Sequence, residues 1–188
     1  YLDLTARNDW NSTLPANNLS YFFPSASLSW VFTNSLPINE GILSFGKLRA
    51  SWASVGKGAG NAYYTQGTYV PNAAAFNGVT LYSISSILPP LNLLPEKAQS
   101  TEVGAELRFL NNRIGLDFTY YNKKSLDQIM QVNVSGSTGF RSLRLNAGEI
   151  QNTGVEAQLN LGIIRKQEGF RWDMDINWAK NNSRVNSL

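Results

Sequence analysis

The chain has 188 residues, 43% of them hydrophobic, a formal net charge of +3, and neither cysteine nor histidine. Those two absences exclude disulfides, Cys/His metal sites and any Ser-His-Asp or Cys-His catalysis carried by these residues alone. The basic residues are scattered, with Lys123-Lys124 and Arg165-Lys166 as the only adjacent pairs. That is no patch of the kind a nucleic acid requires, and no apolar run approaches the roughly 18 residues of a transmembrane helix.

In chain order, Leu2, Leu4 and Ala6 alternate with Asp3, Thr5 and Arg7, which predicts a strand over 1–7. Residues 8–18 read as a loop around Pro15, with Trp10 packing at its rim. A second strand is expected over 21–32, where Ala26, Leu28, Trp30 and Phe32 oppose Ser25, Ser27 and Ser29, with Pro24 near its start. Asn34, Pro37 and Gly41 break the pattern. The third strand, 45–54, sets Leu48, Ala50 and Trp52 against Lys47, Arg49 and Ser51. Two cations on one strand face suit water rather than an apolar core.

Residues 56–92 read as one long irregular segment, almost uncharged, with Tyr63, Tyr64, Tyr69, Phe76 and Tyr82. Such a loop packs on itself or stacks on a ligand, and segments of this length are usually functional or disordered. The central stretch follows. Thr101, Val103, Ala105, Leu107 and Phe109 alternate with Glu102, Gly104, Glu106 and Arg108. Ile114, Leu116, Phe118 and Tyr120 then alternate with Arg113, Gly115, Asp117, Thr119 and Tyr121. Asn111-Asn112 lies between the two runs and tolerates the positive φ of a tight hairpin. Residues 131–151 form another loop, rich in Ser, Gly and Asn, with Phe140, Arg141 and Arg144. Strands are expected again over 154–163 and 170–178, joined by a short turn at 165–169; the tail 181–188 is polar and carries no strand signal.

Seven strand candidates result. Each central run is about as long as the roughly 9–11 residues a membrane strand needs. The short connections at 111–112 and 165–169 and the long ones at 56–92 and 131–151 fall on alternate ends, as short periplasmic turns and long extracellular loops do in a transmembrane β-barrel. Bacterial barrels take even strand numbers, so the expectation is an all-β, antiparallel barrel segment, residues 1–188, of a larger wall. A start at Tyr1, inside a strand pattern and without Met or a signal peptide, is what an excised segment or a fragmentary reading frame would show. A mean hydropathy of -0.23 is compatible with this, because only every second residue must face lipid.

Candidate chemistry is thin. Asp173-x-Asp175-x-Asn177 resembles the opening of a calcium loop, but Trp178 stands where glycine is needed and Arg184 where the bidentate Glu belongs. Asp173 and Asp175 on one strand would lie roughly 7 Å apart, and Glu102 and Glu106 roughly 13 Å. The first spacing is near that of an inverting glycosidase. Arg171 and Arg108 beside them favour a charge lattice on a wetted wall instead. Gly56-Lys57-Gly58-Ala59-Gly60 lacks the spacing and the Lys-Ser/Thr pair of a phosphate loop. No catalytic, cofactor-binding, metal-binding or substrate-binding residue is assigned, no cofactor is expected, and an enzyme is not expected.

A resemblance adds to this reading. Leu94-Pro95-Glu96-Lys97 with Ser100-Thr101-Glu102-Val103-Gly104, then Arg108-Phe109 and Asn111 to Asp117, then Tyr120-Tyr121 and Asp127-Gln128-Ile129, resemble the barrel of SusC/RagA-type TonB-linked outer-membrane transporters. Lys47 to Trp52, Asn146 to Ile150 with Asn152, Gly154-Val155-Glu156, and Trp172-Asp173 with Asn177-Trp178 are similar too, and the matches keep the family's order. The resemblance implies import of oligosaccharides or peptides across a Gram-negative outer membrane. It implies a 22-strand barrel set in lipid, of which this chain would be about a third of the wall, and a SusD-like lipoprotein lid. TonB would act through a plug domain that is not among these residues. The alternative reading is a soluble β-sandwich that binds carbohydrate through exposed aromatics.

Overall fold

The computed structural model describes residues 1–38, 41–165 and 169–188. Its strands are β1 (Leu2–Trp10), β2 (Ser20–Val31), β3 (Leu43–Lys57), β4 (Tyr69–Phe76), β5 (Val79–Ile84), β6 (Ile87–Leu88), β7 (Glu96–Phe109), β8 (Ile114–Leu126), β9 (Ile129–Asn133), β10 (Ser142–Asn146), β11 (Glu149–Arg165) and β12 (Arg171–Ser187). Seven of them form one sheet in the order β1-β2-β3-β7-β8-β11-β12, every neighbouring pair antiparallel. Strand order follows chain order, so the sheet is a meander that needs no crossover. The expected strands are all in it.

Register sorts the side chains into rows. Trp30, Leu48, Ala105, Phe118, Ala157 and Trp178 stand opposite one another across six strands. One residue further along, Ser29, Arg49, Gly104, Thr119 and Glu156 form the adjacent row. Because strand side chains alternate in direction, the first row lies on one face and the second on the other. Among the described residues nothing packs on the apolar face: Val103 is 52% exposed and Trp178 is 54% exposed. A sandwich would cover that face with a second sheet sharing its core. Here the seven strands make one sheet, and the sandwich alternative fails on that ground.

The buried apolar cluster of Leu14, Ala59 and Leu93, joined by Tyr21, Tyr64 and Ile129, sits in the connections at one end of the sheet. Three connections meet there: 11–19, 58–95 and 127–148. They contain two small sheets, β4-β5 and β6-β10-β9. At the other end the connections are 32–42, 110–113 and the β11–β12 turn. Leu110, Asn111 and Asn112 all take left-handed φ, 51°, 53° and 62°, so the turn expected at Asn111-Asn112 forms with one more residue.

The structure corrects several boundaries. Residues 8–10 belong to β1, and Trp10 is exposed at its end rather than packed on a rim. The segment 56–92 is not irregular throughout, since it holds β4, β5 and β6. The polar tail 181–187 is strand, paired with β11 as far as Ser187↔Glu149. Most of the turn expected at 165–169 lies outside the described residues.

Candidate functional site

Two regions gather polar side chains on a common surface. The first is the polar face of the sheet. Arg49 on β3 reaches over β7 to β8, where Nη1 and Nη2 donate to Asp117 Oδ2 and Oδ1 at 2.9 and 2.6 Å, and Nη2 also donates to Thr119 Oγ1 at 2.6 Å. The reach is possible because Gly104 stands between: a Cβ there would lie 2.6 Å from Arg49 Nε. Gly154 acts likewise under Tyr121, whose hydroxyl donates to Asn181 Oδ1 at 3.2 Å.

Towards the short-turn end, Arg108 donates to Glu106 at 2.7 Å and lies 5.1 Å from the Phe45 ring centre. Arg165 and Arg171 both donate to Asp173, at 3.2 and 2.6 Å, and Asn160 Nδ2 donates to Asp175 at 2.6 Å. The Asp173-x-Asp175-x-Asn177 run is thus placed among cations and amides, and Glu106 beside Arg108 belongs to the same lattice. Glu102, by contrast, accepts among the described residues only from Ser100, at 3.0 Å. The Arg49 and Asp117 side chains remain 36% and 33% exposed. Pairs this wet contribute about 0–1 kcal/mol each, so the lattice sets the polarity of the wall more than its stability.

The second region is the loop cluster at the far end. Thr13 Oγ1 donates to Ala59 O at 2.5 Å, and Asn18 Nδ2 to Leu93 O at 3.2 Å. Asn146 is the main tie. It accepts from Leu94 N–H at 2.8 Å and donates to Leu94 O at 2.9 Å and to Asp127 O at 2.8 Å. Gly56-Lys57 ends β3, Gly58 fits tightly against Asn11, and Ala59 is buried; this glycine run is packing and not a cradle. Near the cluster, Glu149 lies well beyond the apolar band of the strands. Asn186 donates to its carboxylate at 2.9 Å, and with Lys124 at 3.4 Å this holds it below the usual carboxylate range.

The family model described as "TonB dependent receptor-like, beta-barrel" matches residues 1–186. The chain belongs to this family. TonB-dependent receptors are outer-membrane β-barrels and transporters rather than enzymes. Two relatives from Formosa agariphila, TonB-dependent receptor P26 and TonB-dependent receptor P3, are each 29% identical, over 100% and 98% of this chain. The chain spans only 19% and 18% of their lengths. Solved structures of the RagAB peptide importer match all of this TonB-dependent receptor segment with a TM-score of 0.88 and 25% identity, over 20% of the matched chain. The score is the same for the "closed-closed" and "open-open" states. The siderophore receptor PirA from Pseudomonas aeruginosa, 17% identical over 90% of this chain and 31% of that one at a TM-score of 0.51, shares the fold alone. The SusC/RagA resemblance read from the sequence is borne out.

Sequence reasoning missed two features of the receptor segment. One is the β4–β5 hairpin, whose turn Asn77-Gly78 has φ of 47° and 79°. Asn-Gly between apolar runs is the strongest short hairpin signal, and it stood in the sequence. The other is Gly104 as the gap that lets Arg49 reach Asp117, which only register reveals.

Proposed function

We propose that this chain forms part of the wall and outer loops of a TonB-dependent transporter in a Gram-negative outer membrane. It would take up oligosaccharides or peptides, with a SusD-like lipoprotein as lid. Further strands close the barrel, and a plug outside these residues contacts TonB. The observation that carries the reading is the two-faced meander: an unpacked apolar face for lipid, a hydrogen-bonded charge lattice for a wet lumen, and long connections gathered at one end. The likeness over the whole chain to the RagAB peptide importer supports it. The equal likeness to two states of that importer supports a wall that stays fixed while other parts move.

The test is uptake by cells carrying the full-length protein. Labelled oligosaccharide and peptide mixtures are offered with TonB present and with TonB removed. TonB-dependent accumulation of either class is expected, from a protein found in the outer-membrane fraction with heat-modifiable migration. An equally abundant protein that takes up neither class would end the import reading.

A further inference from the structure

The three outer connections share a charge property that import alone does not require. Across 11–19, 58–95 and 127–148 the charged residues are Asp127, Arg141 and Arg144. Asp127 faces Lys97, Nζ to Oδ2 at 3.7 Å. Among the described residues, no carboxylate pairs with Arg141 or Arg144. The Arg144 guanidinium lies 3.8 Å from the Tyr64 ring centre and so joins the two longest connections. Beside it opens a cavity of about 280 Å³ whose wall includes Asn61, Tyr63, Tyr64, Gln66, Ser85 and Arg144, and no acid. Tyr63 is held there at φ 59°, a left-handed conformation unusual for a bulky residue, with its side chain 69% exposed.

We propose that this cavity binds the acidic group, a carboxylate or a sulfate ester, of an oligosaccharide cargo. The proposal rests on the import reading above and narrows its cargo. A guanidinium stacked on a ring presents its N–H edge as a planar fork, which matches two oxygens of an oxyanion at once. With the cation placed over the ring, no hydrogen bond or ion pair among the described residues takes its N–H edge. Side-chain amides and a hydroxyl on the same wall match sugar hydroxyls, and the exposed tyrosine ring offers a flat apolar face to the C–H side of a pyranose. With no acid in the wall, nothing opposes the positive field, so anionic cargo is concentrated at the mouth.

The test uses the full-length transporter in detergent and isothermal titration. The probes are oligogalacturonate and its carboxyl-reduced counterpart, a sulfated galactan oligosaccharide and its desulfated counterpart, and an acidic peptide. At least one acidic sugar should bind tenfold or more tightly than its neutralised form, with the gap shrinking as salt rises. Arg144→Gln should abolish the preference and Arg144→Lys should keep part of it, both with unchanged heat-modifiable migration. If Arg144→Gln fails to assemble, Arg144→Lys and the salt series on the unaltered protein decide. Equal affinity for charged and neutral sugars, an unchanged preference in Arg144→Gln, failure of every acidic sugar to bind, or preference for the peptide would each overturn the proposal. TonB-dependent uptake of neutral and acidic sugars alike would sink this proposal alone, whereas absence of all uptake would sink the import reading.

Discussion

Two neighbouring residues of β8 should respond to substitution to very different degrees. Leu116 stands in the row Leu107, Leu116, Leu159, Ile176. On the strand the aromatic Tyr120 lies to one side of it, and the row of Phe109 and Ile114 to the other. That places Leu116 near the middle of the apolar band. Leu116→Arg in the full-length protein puts a cation in hydrocarbon and should cost about 2–4 kcal/mol. Val103 is on the same face but level with Tyr120, Val155 and Lys180. At that edge the arginine can reach water, and Val103→Arg should cost about 0–1 kcal/mol. Asp117 faces the other way. Asp117→Ala strands Arg49, but Arg49 is 36% exposed and stays hydrated, so the cost should be about 1 kcal/mol or less. Glu102→Ala, which breaks only a bond from Ser100, should cost less still. Urea titration of the refolded barrel in lipid, scored by heat-modifiable migration, measures all four. Equal costs for Leu116→Arg and Asp117→Ala would refute the assigned faces, and equal costs for Leu116→Arg and Val103→Arg would refute the assigned depth.

Three further outcomes follow from the geometry. Gly104→Val should displace Arg49 from Asp117, since its Cβ would meet Arg49 Nε at 2.6 Å and the Phe118 carbonyl at 3.0 Å; a loss of about 1–2 kcal/mol is expected, while Gly60→Ala, which meets nothing within 4 Å, should be neutral in the same titration. Asn146→Ala removes two ties between the long connections and one within 127–148, and should speed protease cleavage within 58–95 and 127–148 without changing barrel migration; unchanged cleavage would show that Asn146 does not hold the cluster. Cutting out the β4–β5 hairpin at its base, where Ser85 N–H donates to Thr68 O at 3.2 Å, should leave an assembled barrel by surface proteolysis but reduce growth on the transported nutrient. Normal growth would show that the hairpin has no transport role, and failed assembly would show that it is structural.

How much of this was legible in the sequence depended on where each residue sits along its strand. Within the apolar band, lipid outside and water inside impose strict alternation, and all seven wall strands were found from it. Beyond the band both faces of a strand meet water, and the alternation disappears. Gln99, Lys124, Gln151 and Arg184 stand opposite one another on the face that is apolar lower down. Residues 181–187 therefore read as a structureless tail although they pair along β11. The β4–β5 hairpin is exposed along both strands and has no apolar period, so only its Asn-Gly turn could reveal it. The loop cluster was legible as long and uncharged. Its assembly around Leu14, Ala59 and Leu93 was not, because those contacts join segments far apart in the chain.

The extension of the wall past its apolar band gives the receptor barrel height. From the level of Tyr120 and Val155 the strands continue to Leu126 and Glu149. Six residues at about 3.4 Å each, tilted by roughly 40°, lift the loop cluster about 15 Å above the edge of the hydrocarbon. A stiff collar of that height carries the cavity mouth clear of lipid headgroups. On the import reading proposed above, the first contacts of a cargo with the loops are made beyond the headgroup layer rather than within it.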